Sequence, residues 1–337
     1  MTVMTASAPE RLFGVSVLGP VVRWGSSRHG RTGQTPRLAY AAMRRLHRAA
    51  PHVLDHVGAR VAGSRPAHPP SNPPGLAAGQ IETAVTALRR HGFHVLDGRV
   101  PDQVCDELIA AARQVRCRAV GGLDVDRPVV VDLAAPVAPR YDLDEEDALA
   151  LPGVQRIVAD RSLLEVARRY LEAEPIQDLV AMWWSVATEE TADTSAAAQR
   201  FHFDLDRLRF LKVFVYLTDV DVDTGPHVYV PGSHRPNEVP ASLRADRRFD
   251  DREVEALLGS PVSIHGERGT VFLADTRGLH KGRPVRSGHR LVLQTEYATS
   301  LFGAPYACPQ VVDPTVELLS ASDQHPDVFA RFRIGRG

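Results

Sequence analysis

The stretch QRFHFDLD, residues 199–206, places His202, Asp204 and Asp206 at alternate positions in a segment otherwise apolar enough to be a buried strand. Side chains at i and i+2 of a strand share a face, so His202 and Asp204 can converge on one point while Phe203 packs on the other side. Buried titratable groups need a partner to offset lost hydration, and a bound cation is one such partner. An imidazole and a carboxylate lack one ligand for the two-histidine, one-carboxylate set that grips iron on one face and leaves open positions opposite. The third ligand is expected to be a histidine farther along, and the chain offers His227, His234, His265, His280, His289 and His325. His280 closes the strand-like GTVFLADTRGLH, and Arg290 follows at the start of another strand. A guanidinium there can hold both oxygens of a cosubstrate carboxylate through its planar fork. Asp206 is the rival to Asp204, and His289, in the turn RSGHR, is the rival to His280.

FHFD, then TDVDVDTGPHVYVPGSH, then His280 with Arg290 resembles the phytanoyl-CoA dioxygenase-like branch of the iron(II)/2-oxoglutarate dioxygenases, over Leu88 to about Phe302. The resemblance implies a double-stranded β-helix (a jelly roll, cupin-like) with helices packed against one side. It implies that His202, Asp204 and His280 bind Fe(II), that Arg290 binds the far carboxylate of 2-oxoglutarate, and that O2 is the second cosubstrate. The family chemistry is oxidation of an unactivated C–H bond of a small molecule, with release of succinate and CO2. Halogenating relatives replace the carboxylate ligand by a small residue, so Asp204 points to hydroxylation or another oxidation such as desaturation or ring formation. Around this set, Gln199 and, on the strand LKVFVYL, Lys212 and Phe214 are expected to contact 2-oxoglutarate. His227, where the family position is often apolar, and Tyr216 are expected on the substrate side. Trp183 and Trp184 alternate across their strand, so one of them faces the cavity. The competing readings are a non-catalytic jelly-roll protein that binds a ligand or partner, and a cupin-like dioxygenase that uses no 2-oxo acid. Intact His202, Asp204, His280 and Arg290 argue against the first, and Arg290 against the second.

The elements that must carry these residues begin at Ile176, where short strand-like segments follow one another between Gly, Pro, Asp and Thr turns, as in a sandwich or barrel. Helical periodicity precedes them over Ile81 to Arg90, in PDQVCDELIAAARQV, and over about Asp160 to Ala173. The expected class is α+β with a mainly β core. The proline-rich GSRPAHPPSNPPG reads as a linker, so residues 1–78 are expected to be a helical appendage with its linker and residues 79–337 the jelly-roll domain. Residues 120–154, with their run of acids among prolines, are expected to be a surface insertion. A formal net charge of −1 with no basic stripe argues against nucleic-acid binding. No apolar run has the length of a membrane span, and no secretory leader is evident, so the cytoplasm is the expected location. Cys105, Cys117 and Cys308 are too few and too scattered for a disulfide framework. Substrate identity and oligomeric state are not fixed by these residues.

Overall fold

The structure is a computed structural model that describes residues 20–29, 31–32, 34–65, 68–121, 128–188, 199–244 and 247–335. Residues 1–19 of the expected appendage, and residues 66–67 of the proline-rich stretch, lie outside the described residues. Two helices, α1 (Arg37–Ala49) and α2 (Pro51–Ala62), precede the proline-rich stretch. Pro51 separates them: it lacks an N–H and pushes Ala50 out of the helical region, yet it is tolerated at the first position of α2. Met43, Leu54, Val57 and Val61 of this pair pack against Leu208 and Phe302 of the main body. The proline-rich stretch runs along the helix Arg161–Leu171, where Ser71 N–H donates to Glu165 at 3.0 Å. No helix among the described residues is long and apolar enough to cross a membrane.

The strands of the two larger sheets are β1 (Phe93–Arg99), β2 (Arg116–Val120), β3 (Pro128–Val130), β4 (Arg140–Leu143), β5 (Ile176–Val186), β6 (Phe210–Tyr216), β7 (His227–Tyr229), β8 (Val262–Ile264), β9 (Thr270–Ala274), β10 (His280–Gly282) and β11 (His289–Ala298). Eight form one antiparallel sheet in the order β1, β9, β6, β11, β5, β4, β2, β3, and three short ones form a second in the order β10, β7, β8. Strand parity divides the large sheet into two faces. Leu211, Val213 and Val215 of β6, Met182 and Trp184 of β5, and Leu291 and Leu293 of β11 pack with Val85, Leu88, Leu108, Leu163 and Val166 of the covering helices. Phe214, Tyr216, Trp183, Phe272 and Val292 point the other way, to Tyr229 and Ile264 of the small sheet. The site lies on that inner face.

Two expectations change here. QRFHFDLD is not a continuous strand: it makes only single bridges, Phe201 to Phe249 and His202 to His280. Its backbone bonds go to different neighbours in turn, Phe201 N–H to Phe249 O, His202 N–H to His280 O, and Asp204 N–H to Thr276 O, so no one partner runs alongside it. Residues 120–154, of which 122–127 lie outside the described residues, are not a surface insertion. β4 pairs with β2 and β5 inside the large sheet, and Tyr141, Leu143, Leu149 and Val154 are buried in the main core. The acids misled because their partners are distant: Glu145 accepts from both terminal nitrogens of Arg331, at 2.7 and 2.6 Å.

Candidate active site

Alternation within the extended segment 201–204 separates its side chains. Phe201 and Phe203 go to a cluster with Phe249, Val228 and Leu279, and His202 and Asp204 face the cavity. The antiparallel bridge between His202 and His280 then sets the two imidazoles side by side, ring centroids 4.3 Å apart. His202 Nε2 lies 3.6 Å from Asp204 Oδ1, and His280 Nε2 lies 3.3 Å from Asp204 Oδ2. One ligand atom from each of the three residues falls within 4.8 Å of the others. Each Nδ1 is 2.9 Å from a backbone carbonyl oxygen, Arg200 O for His202 and Gly278 O for His280. A carbonyl can only accept, so Nδ1 carries the proton and Nε2 presents its lone pair toward the carboxylate. Burial first, and then the neighbouring His280, push the His202 imidazole down to about 3, so it is neutral in the physiological range. Two imidazoles with oriented lone pairs and one carboxylate suit a divalent iron, and the outer bonds that fix the rings are those metal-binding histidines use.

Lys212 lies beneath this group. Its ammonium donates to Asp204 at 2.7 Å and to Asp206 at 2.9 Å, and Glu296 stands 3.5 Å away. Burial raises the Asp204 carboxyl, but Lys212 and then His280 outweigh it and hold Asp204 well below the usual carboxylate range. Asp206 therefore faces the lysine, and among the described residues it joins no metal-competent group.

Arg290 enters the same cavity from β11, paired in register with Ser185 of β5. It is buried, its terminal nitrogen donates to Ser185 Oγ at 3.2 Å, and its Nε has no hydrogen-bond partner among the described residues. Burial pushes this guanidinium down to about 10. A buried cation with no carboxylate beside it is expensive unless something anionic comes to it. The cavity has a volume of about 410 Å³, of the order that takes a small molecule.

Phe214 lines the cavity as expected, stacked on Phe272 with ring centroids 4.8 Å apart. His227 lines it too, with its ring nearly parallel to His280 at 5.3 Å and its Nε2 buried without a hydrogen-bond partner among the described residues. Lys212 reaches the cavity, but its ammonium is committed to Asp204 and Asp206 rather than offered to a cosubstrate. Tyr216 presents only its ring, because its hydroxyl donates to Ile264 O and accepts from His227 N–H. Gln199 is buried but does not line the cavity. His289 sits against Trp184, outside the cavity. Of the two tryptophans, Trp183 faces the cavity and Trp184 the core.

Sequence reasoning missed Arg140 and Asp142, which β4 brings to the cavity wall. Arg140 stacks over Trp183 at 4.5 Å and donates to Asp142 at 2.6 Å. The alternation RYDL, with Tyr141 and Leu143 inward to the core, was the available signal. A second histidine–carboxylate group, His68, Glu174 and His325, also comes together. Arg168 occupies both Glu174 oxygens, at 2.7 and 2.8 Å, and lies 3.1 Å from His325 Nδ1, so that group is accounted for as an ion pair.

A search of curated proteins finds no match. Among solved structures, EctD from S. alaskensis with 2-oxoglutarate and 5-hydroxyectoine is similar at 19% identity and a TM-score of 0.50, over 81% of this chain and 94% of that one. The epimerase SnoN from nogalamycin biosynthesis is similar at 18% identity and a TM-score of 0.49, over 65% of this chain and 82% of that one. At 19% identity the EctD likeness concerns fold alone, the mainly β double-stranded β-helix with flanking helices. The model of the family Phytanoyl-CoA dioxygenase (PhyH) matches residues 88–292, which contain His202, Asp204, His280 and Arg290. The chain belongs to this family of double-stranded β-helix enzymes, whose cofactors are Fe(II), 2-oxoglutarate and O2.

Proposed function

We propose that this chain is a 2-oxoglutarate-dependent oxygenase that hydroxylates, or otherwise oxidises, an unactivated C–H bond of a small molecule. His202, Asp204 and His280 hold the metal, and Arg290 holds the far carboxylate of 2-oxoglutarate. The observation that carries the reading is the buried Arg290 guanidinium, with no carboxylate paired to it among the described residues, in the same cavity as three converging metal ligands. The bound metal supplies, with 2-oxoglutarate and O2, the oxidising power for the reaction, and succinate and CO2 are its coproducts. The chain's own residues orient and enclose. The carbonyls of Arg200 and Gly278 keep both imidazoles in the ligating tautomer. Lys212 keeps Asp204 ionised when the metal is away. Phe214, Phe272 and Trp183 make a dry wall beside the cosubstrate, and His227 offers its Nε2 to the substrate.

Asp204 fills the position a halide needs, which supports oxidation without halogenation. Residues 1–78 act as an appendage and linker to a catalytic unit at 79–337. Three free cysteines suit a reducing compartment such as the cytoplasm. The test is anaerobic titration of the Fe(II) protein with 2-oxoglutarate, read by its visible charge-transfer band, followed by succinate formation on adding O2. A protein that takes up Fe(II) but never develops the band returns the reading to a non-catalytic jelly roll.

A further inference from the structure

Neither segment that carries a metal ligand is held by a long ladder. Residues 199–206 make only isolated bridges, and His280 is the first residue of the three-residue β10. His280 follows a tight turn, closed by Gly278 N–H to Asp275 O at 3.0 Å, and that turn also orients ligands. Thr276 O accepts from Asp204 N–H at 2.9 Å, and Gly278 O lies 2.9 Å from His280 Nδ1. The carbonyls on either side of Arg277 thus each fix one ligand residue. Arg277 locks the turn by folding back on both oxygens of Asp275, at 2.9 and 2.5 Å.

Both segments touch the appendage. Leu205, next to Asp204, accepts from Tyr40 OH at 3.2 Å through its carbonyl oxygen, and its side chain packs on the cluster of Met43, Leu54 and Val57. The Phe203 ring, between the two ligand positions, meets the His47 ring edge-on at 5.5 Å. On the other segment, Arg277 turns its remaining terminal nitrogen to Asp55 of α2, at 3.0 Å. The seat is close, since a Cβ on Gly58 would lie 2.9 Å from Arg209 Cγ. α1 and α2 lie wholly outside the family match at 88–292, so this support comes from the appendage and not from the matched region. Whatever holds the ligand segments in ligating geometry lowers the ordering cost that metal binding must meet. Bound metal then favours the docked helices by the same factor, because coupling between two binding equilibria is reciprocal.

We propose that α1 and α2 are a positioning element of the metal site: Tyr40 and Asp55 brace the segments that carry His202, Asp204 and His280, so that metal binding and docking of residues 37–62 reinforce each other. The inference rests on the reading that these three residues hold a metal, but needs nothing about the reaction. Hydrogen exchange of the full chain is followed by mass spectrometry with and without saturating Co(II). Co(II) is expected to slow exchange in residues 37–62 by at least about fivefold, beyond any slowing in the helix Asp102–Ala112, which packs in the main core. The double variant Tyr40→Phe/Asp55→Asn keeps the apolar seat and is expected to lose most of that slowing. Val57→Asp puts an unpaired charge into the seat, and Gly58→Leu crowds it. Each is expected to undock the helices and to weaken Co(II) binding, read by d–d absorption, at least about fivefold, with circular dichroism checking that the rest of the chain folds. No extra slowing in the parent, or Co(II) affinity equal to the parent's in both undocking variants, overturns the linkage. A double variant that keeps the full slowing overturns the role of Tyr40 and Asp55. A parent that takes up no Co(II) overturns the metal reading together with the linkage, whereas one that binds Co(II) but shows no 2-oxoglutarate band strikes only at the oxygenase reading.

Discussion

Replacing Arg290 by Met separates what this residue does for cosubstrate from what it costs the fold. In the metal-free protein the guanidinium is buried and held by one 3.2 Å bond to Ser185, with its Nε unpartnered among the described residues. Exchanging a poorly compensated buried ion for an apolar side chain of similar length is neutral or stabilising, by about 1–4 kcal/mol. Arg290→Met is therefore expected to melt at or above the parent temperature. With 2-oxoglutarate the sign reverses. A carboxylate brought into this cavity without its counter-charge loses about 3–5 kcal/mol, and at about 1.4 kcal/mol per decade this weakens binding by roughly a hundred- to a few thousand-fold. Arg290 makes no bond to His202, Asp204 or His280, so Co(II) affinity, read by d–d absorption, should stay within about threefold. The assay is the anaerobic charge-transfer titration beside a thermal melt. A variant that binds 2-oxoglutarate nearly as tightly as the parent refutes the assignment. One that melts well below the parent shows that Arg290 is structural and that the cost argued here is absent.

Three further outcomes follow from the same geometry. Lys212→Met leaves Asp204, Asp206 and Glu296 without their shared cation and should destabilise the metal-free protein by about 3–5 kcal/mol. Added divalent metal should restore more of its melting temperature than it adds to the parent, and equal gains would show that metal and lysine do not share Asp204. Asp204→Ala should abolish Co(II) binding, and the 2-oxoglutarate band with it, while Asp206→Asn keeps both; the opposite pattern makes Asp206 the ligand. Burial first, and then Arg207, push the His29 imidazole down to about 4, against about 6.5 in an unfolded chain. Between those values the unfolded chain binds more protons, so this group's contribution to stability is present at neutral pH and lost as pH falls from about 6.5 toward 4. Urea midpoints at pH 7, 5.5 and 4.5 should fall more steeply in the parent than in His29→Gln, and parallel lines would exclude the contribution.

The sequence by itself determined the local rules. Alternation split Lys212, Phe214 and Tyr216 from Val213, Val215 and Leu217, because a strand has only two faces, and the structure keeps that division. Pro51 divided two helices, and Asp160 began the helix it caps, accepting from Ser162 and Leu163 N–H at 2.9 and 3.0 Å. His202, Asp204, His280 and Arg290 were legible as types and order. What only the tertiary structure decided is which residues meet. The His202 and His280 imidazoles touch because an isolated bridge joins segments far apart in the chain. Arg140 and Asp142 reach the cavity because β4 joins the edge of β5. Lys212 became a counter-charge for the same reason, since nothing near it in sequence foretells Glu296 on the neighbouring strand. Periodicity is a property of one segment and is written along it. Partnership depends on how segments cross, and that is set by the summed burial of the whole chain.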